Sequence, residues 1–183
     1  MKKVLLTIVG VLLVEFLALL IGVYSGLPDV AATRPEGNMM RWFLSTTKDH
    51  SIGVRAKNIS IPPLEDSVLV AKGFDHYHEM CVTCHGAPGR KPDEFAAGLN
   101  PHAPNLARST RDMEPSEMFL VVKDGIKMTG MPGFASTHSD SEIWAMVAFL
   151  KRLQTMSPGE YAAFQTPQHD EPAGENEEHH HPK

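Results

Sequence analysis

The sequence predicts an all-α protein carried by a single N-terminal membrane-spanning helix. Three observations predict it. An almost uncharged apolar run opens the chain. Later segments repeat apolar residues at spacings of three and four, with helix-start and helix-stop residues at their ends. No segment alternates apolar and polar residues in the way a half-buried strand does.

The opening run goes from Val4 to Val14, is interrupted by Glu15, and resumes from Phe16 to Val23. As a helix it matches the thickness of a bilayer core, which takes about 20 residues. Lys2 and Lys3 precede it without a balancing basic cluster after it, which favours a cytoplasmic N-terminus. A cleaved signal peptide is the competing reading, although its apolar core is normally shorter and Val30-Ala31-Ala32 only loosely resembles a cleavage site. Either reading exports the rest of the chain. Formal net charge is −5, so nothing points to nucleic acid as a partner.

Four regions are expected: an anchor over 1–25, a connector over 26–65, a folded domain over 66–155, and a disordered polar tail over 156–183. Pro28, Pro35, Gly37, Pro62 and Pro63 punctuate the connector. Within it, Asn38 to Leu44 is apolar enough for a short helix. That helix suits a membrane interface, the folded domain or a partner subunit. A domain helix is predicted to start at Asp66 or Ser67, capped there and blocked backwards by Pro62-Pro63, and to run to Met80. Val70, Phe74 and Tyr77 form its inward stripe, and Gly73 allows a second helix to come close. Residues 90–114 read as irregular loop with room for a short turn. A second helix fits Pro115 to Asp124, with proline in its first turn and Gly125 ending it. The clearest helix follows Ser139, whose pairing with Glu142 is a capping box. Ile143, Val147 and Leu150 form its stripe, and Lys151 and Arg152 complement its C-terminal dipole.

Chemistry concentrates at Cys81-Val82-Thr83-Cys84-His85, which holds both cysteines of the chain. Two thiols three positions apart can each add across one vinyl group of a porphyrin, and the adjacent imidazole then reaches the iron. Zinc would need a second pair of ligands, a thioredoxin-like pair would need a βαβ setting, and a simple disulfide remains as the plain alternative. The pattern therefore implies one covalent haem c.

A second axial ligand is expected from Lys127-Met128-Thr129-Gly130-Met131-Pro132-Gly133. A soft, neutral thioether stabilises ferrous iron and raises the potential. Met131, in its Gly-Met-Pro setting, is the first choice and Met128 the second. His76, His78, His102 and His138 are the histidine competitors. The tail residues His169, His179, His180 and His181, set among glutamates, allow weak divalent-metal binding as an alternative to a plain solvated tail.

These residues together resemble the class I monohaem c-type cytochromes, in particular the membrane-anchored bacterial ones and the cytochrome subunits of oxidases and dehydrogenases. The resemblance covers about residues 66–154. Its carriers are Gly73, Tyr77, the Cys81–His85 motif, Ala103-Pro104-Asn105-Leu106, Asp124 to Pro132 and Glu142 to Leu150. It implies the cytochrome c fold, with Gly73 at the crossing of the first and last domain helices. It also implies that the Pro104 carbonyl accepts the ring N–H of His85 and that Leu106 lies at the cofactor. With His85 and Met131 as axial ligands, the expected role is electron transfer between a redox protein donor and acceptor, as a carrier and not an enzyme. The expected place is the periplasmic side of a bacterial inner membrane. A subunit of an oxidase or dehydrogenase complex is the alternative, and a haem sensor or peroxidase-like protein with a labile Met ligand the more distant one. Lys123 and Lys127 are candidate docking charges, set against a plain solvated surface.

Overall fold

A computed structural model describes residues 1–34 and 36–165. Among these the regular structure is helical, apart from one isolated bridge between Ala87 and Arg90. The mostly helical architecture agrees with the expected class.

Helix α1 spans Lys2–Tyr24 and buries none of its residues against the protein. It is long and apolar enough to cross a bilayer. Helix α2 spans Asn38–Ala56 and is far longer than the short element expected around Met39–Leu44. Its second half earns that length by packing: Ala56 is buried, and Gly53 stands against the Glu117 carboxylate. From there Ile59 and Leu64 lay the chain over the domain core.

Helix α3, Ser67–His76, begins where Asp66 caps it, its carboxylate accepting from Val68 N at 2.7 Å. Phe74 and Tyr77 point inward as the stripe predicts, and Val70 packs beside them. The helix does not continue to Met80 as a regular α-helix. Tyr77–Cys81 is a π turn, followed by the one-turn helix α4, Val82–His85. A π turn inserts one residue into the helical register. The buried position after Tyr77 therefore falls on Val82, fully enclosed, and not on Cys81, which is half-buried.

The stretch 90–114, expected as loop with a short turn, contains a 3₁₀ turn at Glu94–Gly98 and, in addition, the one-turn helix α5, Leu106–Ser109. Helix α6, Pro115–Asp124, has the expected bounds, and its Glu114/Glu117 capping box adds a start signal that the sequence reading did not use. Helix α7, Asp140–Leu153, carries the Ser139/Glu142 box. Its Ile143, Val147 and Leu150 are buried as the stripe requires. Phe119 of α6 stacks on Trp144 of α7 with centroids 4.3 Å apart.

The expected tail starts too early at residue 156. Met156 is buried, and Pro158–Phe164 forms helix α8, capped by Ser157 and Glu160. Tyr161 and Phe164 close over Phe74, with centroids 5.5 and 5.2 Å away. Those two aromatics supply the burial that holds a seven-residue helix, too short to persist alone. The tail histidines His169, His179, His180 and His181 lie outside the described residues.

Candidate haem site

The π turn and α4 present three chemical groups together. Cys81 and Cys84 are both half-buried free thiols, and His85 follows directly. Burial pushes the Cys81 thiol up to about 12, with Cys84 adding to the effect, so Cys81 is an uncharged thiol at neutral pH. His85 shifts the other way: burial lowers it, and the hydrogen bond to the Pro104 backbone only partly opposes this. Its imidazole is therefore neutral at pH 7 and has a lone pair to offer.

The tautomer follows from geometry. His85 Nδ1 lies 2.8 Å from the Pro104 carbonyl oxygen. A carbonyl only accepts, so Nδ1 carries the hydrogen and Nε2 keeps its lone pair. The nineteen-residue separation is bridged because Asp93 N donates to Thr83 O at 2.8 Å, returning the loop to α4. Behind the motif, the buried Tyr77 hydroxyl donates to Gly86 O at 2.6 Å. Tyr77, expected on the inward stripe, thus also supplies a hydrogen bond. Burial raises its pKa well above the ordinary phenol value, so it remains a donor throughout the physiological range.

Beside Cys84 lies a cleft of about 390 Å³. Pro92, Ala96, Ala97 and Ala103 give it an apolar wall, and His102 stands at it as well. Leu106 is half-buried and packs against the core at the start of α5.

The second expected ligand, Met131, lies in the loop between α6 and α7. That loop leaves and returns through a narrow neck. Phe134 N donates to Val122 O and Ala135 N to Lys123 O, while Gly125 sits at φ +67°. A side chain at Gly125 would come 2.5 Å from Gly133 N, so glycine is required on steric as well as conformational grounds. Inside the loop, Ile126 N donates to Met131 O and Met131 N to Thr129 Oγ1, at 3.2 and 3.1 Å. Met131 is half-buried, whereas Met128, at φ +62°, is 82% exposed.

The histidine competitors have other neighbours. His78 Nδ1 is 3.2 Å from the Tyr161 hydroxyl. His76 and His138 face each other edge-on at 5.2 Å. Among the described residues no three His, Cys, Asp or Glu side chains gather to hold a metal ion by themselves. Lys123 pairs with Asp140 at 2.7 Å and lies over the Phe119 ring. Lys127 is exposed.

Residues 68–150 match the family model for cytochrome C oxidase, cbb3-type, subunit III. This is a c-type cytochrome domain. No curated protein matches the chain significantly. A cytochrome domain of this kind carries a covalent c-type haem with its iron and serves haem-based electron transfer. The donor set fits that group: two free thiols three positions apart, a neutral imidazole with Nε2 free, and an apolar wall beside Cys84. The N-terminal apolar helix and the cytochrome domain together fit a membrane-anchored monohaem c-type cytochrome.

Proposed function

We infer that this chain is an electron carrier tethered to the outer face of a bacterial inner membrane, passing one electron at a time in a periplasmic respiratory chain. Cys81 and Cys84 would hold the haem through thioethers, and His85 and Met131 would ligate its iron. Bound in this way, the haem supplies a ferric/ferrous couple. The observation that carries this reading is the 2.8 Å contact from His85 Nδ1 to the Pro104 carbonyl, which aims Nε2 as an iron ligand.

The chain's own residues do the rest. Pro104 fixes the ring plane of His85. The Gly125–Gly133 neck holds the Met131 loop in one shape, so an oxidation change meets little rearrangement. Half-burial of Met131, against the outward course of Met128, supports Met131 as the thioether ligand. Ligation by both His85 and Met131 would leave the iron no open position for a substrate, the arrangement that suits a carrier.

Residence in a membrane oxidase or dehydrogenase is the second reading, favoured by the family to which residues 68–150 match. A redox titration of the detergent-solubilised full chain tests the first reading. A single reversible one-electron wave is expected, with no carbon monoxide binding by the reduced form at neutral pH. Rapid carbon monoxide binding would overturn the closed site and favour a sensor or peroxidase-like role. Stable copurification with a larger membrane complex would favour the subunit reading.

A further inference from the structure

Helix α2 has two halves with different surroundings. Its C-terminal half is fastened to the cytochrome domain through Ala56 and Gly53, against α6. Its first turns are uncovered. Met39 is 80% exposed and Trp42 65%, with Met40 and Phe43 also mostly in solvent. Met39, Trp42 and Phe43 stand at spacings of three and four, so they share one face. Water-facing aromatics of this size are unusual on a helix that is half docked.

Charge adds an independent observation. Arg41, Lys48 and Arg55 recur every seven residues, a nearly straight line along α2 and off the aromatic face. Against these three cations the helix has one carboxylate, Asp49, which already contacts Lys48 at 2.7 Å. The whole chain is acidic, with net charge −5, so α2 is locally positive within a negative molecule. Chain length supplies a third argument. Only residues 25–37 separate the end of α1 from the start of α2. Fully extended, that link reaches about 45 Å at most.

We propose that the first turns of α2 lie in the headgroup layer of the membrane that α1 spans, with Met39, Trp42 and Phe43 in the acyl boundary and Arg41 on anionic phospholipid phosphates. This rests on the reading of α1 as a retained span. Aromatic and sulfur side chains on one face and cations off it are the composition of an interfacial helix. Because the other end of α2 is fixed to α6, the contact sets the height and orientation of the cytochrome domain over the bilayer. The domain is then a stand on a short strut and not a freely swinging tether.

The test uses the full holoprotein in vesicles of phosphatidylcholine and phosphatidylglycerol, its native cysteines consumed by haem. Nitroxide labels are placed one at a time through Met39→Cys and Phe43→Cys. Val11→Cys, inside the span, and Lys72→Cys, exposed on α3, serve as references. Labels at 39 and 43 are expected to collide with dissolved oxygen and to be several-fold less accessible than 72 to an aqueous nickel chelate. Replacing phosphatidylglycerol with phosphatidylcholine should reduce that protection, and unchanged protection would overturn the assignment of Arg41 to anionic lipid. Water-accessible labels at 39 and 43, with 11 buried in lipid, would overturn the interfacial placement and leave the anchor standing. Shielding of 39 and 43 from both reagents would overturn it in favour of a protein partner, a second copy of the chain. A water-accessible label at 11 would overturn the anchor reading and this placement with it.

Discussion

Gly73 in α3 lies directly against the backbone carbonyl of Ala145 in α7. A side chain at 73 would collide with that oxygen, reach 2.6 Å from its carbon and 2.8 Å from Phe149 Cβ. Neither obstacle is the flexible end of a side chain. The crossing of α3 and α7 is the most extensively packed pair of helices in the domain, so the whole frame is set at this contact. Gly73→Ala is therefore expected to destabilise the domain by about 1–3 kcal/mol, the scale of overpacking at a rigid site. Thermal melting of the holoprotein measures it, and a melting temperature within a degree of wild type would refute the close crossing.

The two methionines of the loop between α6 and α7 predict opposite outcomes. Met131→Ala should remove the thioether-ligated ferric spectrum and lower the midpoint potential by on the order of 0.1–0.3 V, part of the about 0.8 V that axial ligands span. Met128→Ala should leave both within error, since its side chain points outward. Spectroelectrochemistry of the two variants reads this directly. The reverse result would transfer the ligand role to Met128.

Tyr77 should matter to stability and not to redox tuning. Its hydroxyl donates to Gly86 O in a buried setting. Tyr77→Phe leaves that carbonyl without its partner and is expected to cost about 1–2 kcal/mol. Denaturant melts should register the loss while the reduced and oxidised spectra stay unchanged. A shifted potential would mean that the hydroxyl also acts on the haem.

Acid should loosen α8 before it loosens the rest. Glu160 is held down to about 2 by the Ser157 backbone N–H, the Ser157 hydroxyl and Arg152. Its ordinary value is 4.5, so its folded pKa is depressed. The stabilisation is complete above about pH 4.5 and is lost as pH falls towards 2. Hydrogen exchange at residues 158–164 should therefore accelerate across that window relative to α7. Glu160→Gln should flatten the dependence, and an identical pH profile in that variant would assign the effect elsewhere.

What the sequence alone determined is local. Capping at Asp66 and Ser139, Pro115 and Gly125 at the ends of α6, and the Phe74/Ile143 stripes are written in residue type and spacing, because helix ends and amphipathic faces are properties of neighbouring residues. The Cys81–His85 pattern is local too, since thiol spacing is matched to one macrocycle. Tertiary structure alone decided the rest. Helical counting from Tyr77 puts position 81 inward, yet Val82 is the enclosed residue, because the π turn inserts a residue that propensity does not signal. The bond from His85 to Pro104 was implied by the family resemblance and not by residue spacing, because it spans nineteen residues and needs the intervening loop to return at Thr83 and Asp93. Helix α8 was not read as a domain element, since its stability comes from placing Tyr161 and Phe164 on Phe74, more than eighty residues earlier. Such contacts cost chain entropy that only the assembled core repays, and that balance is invisible to any window of sequence.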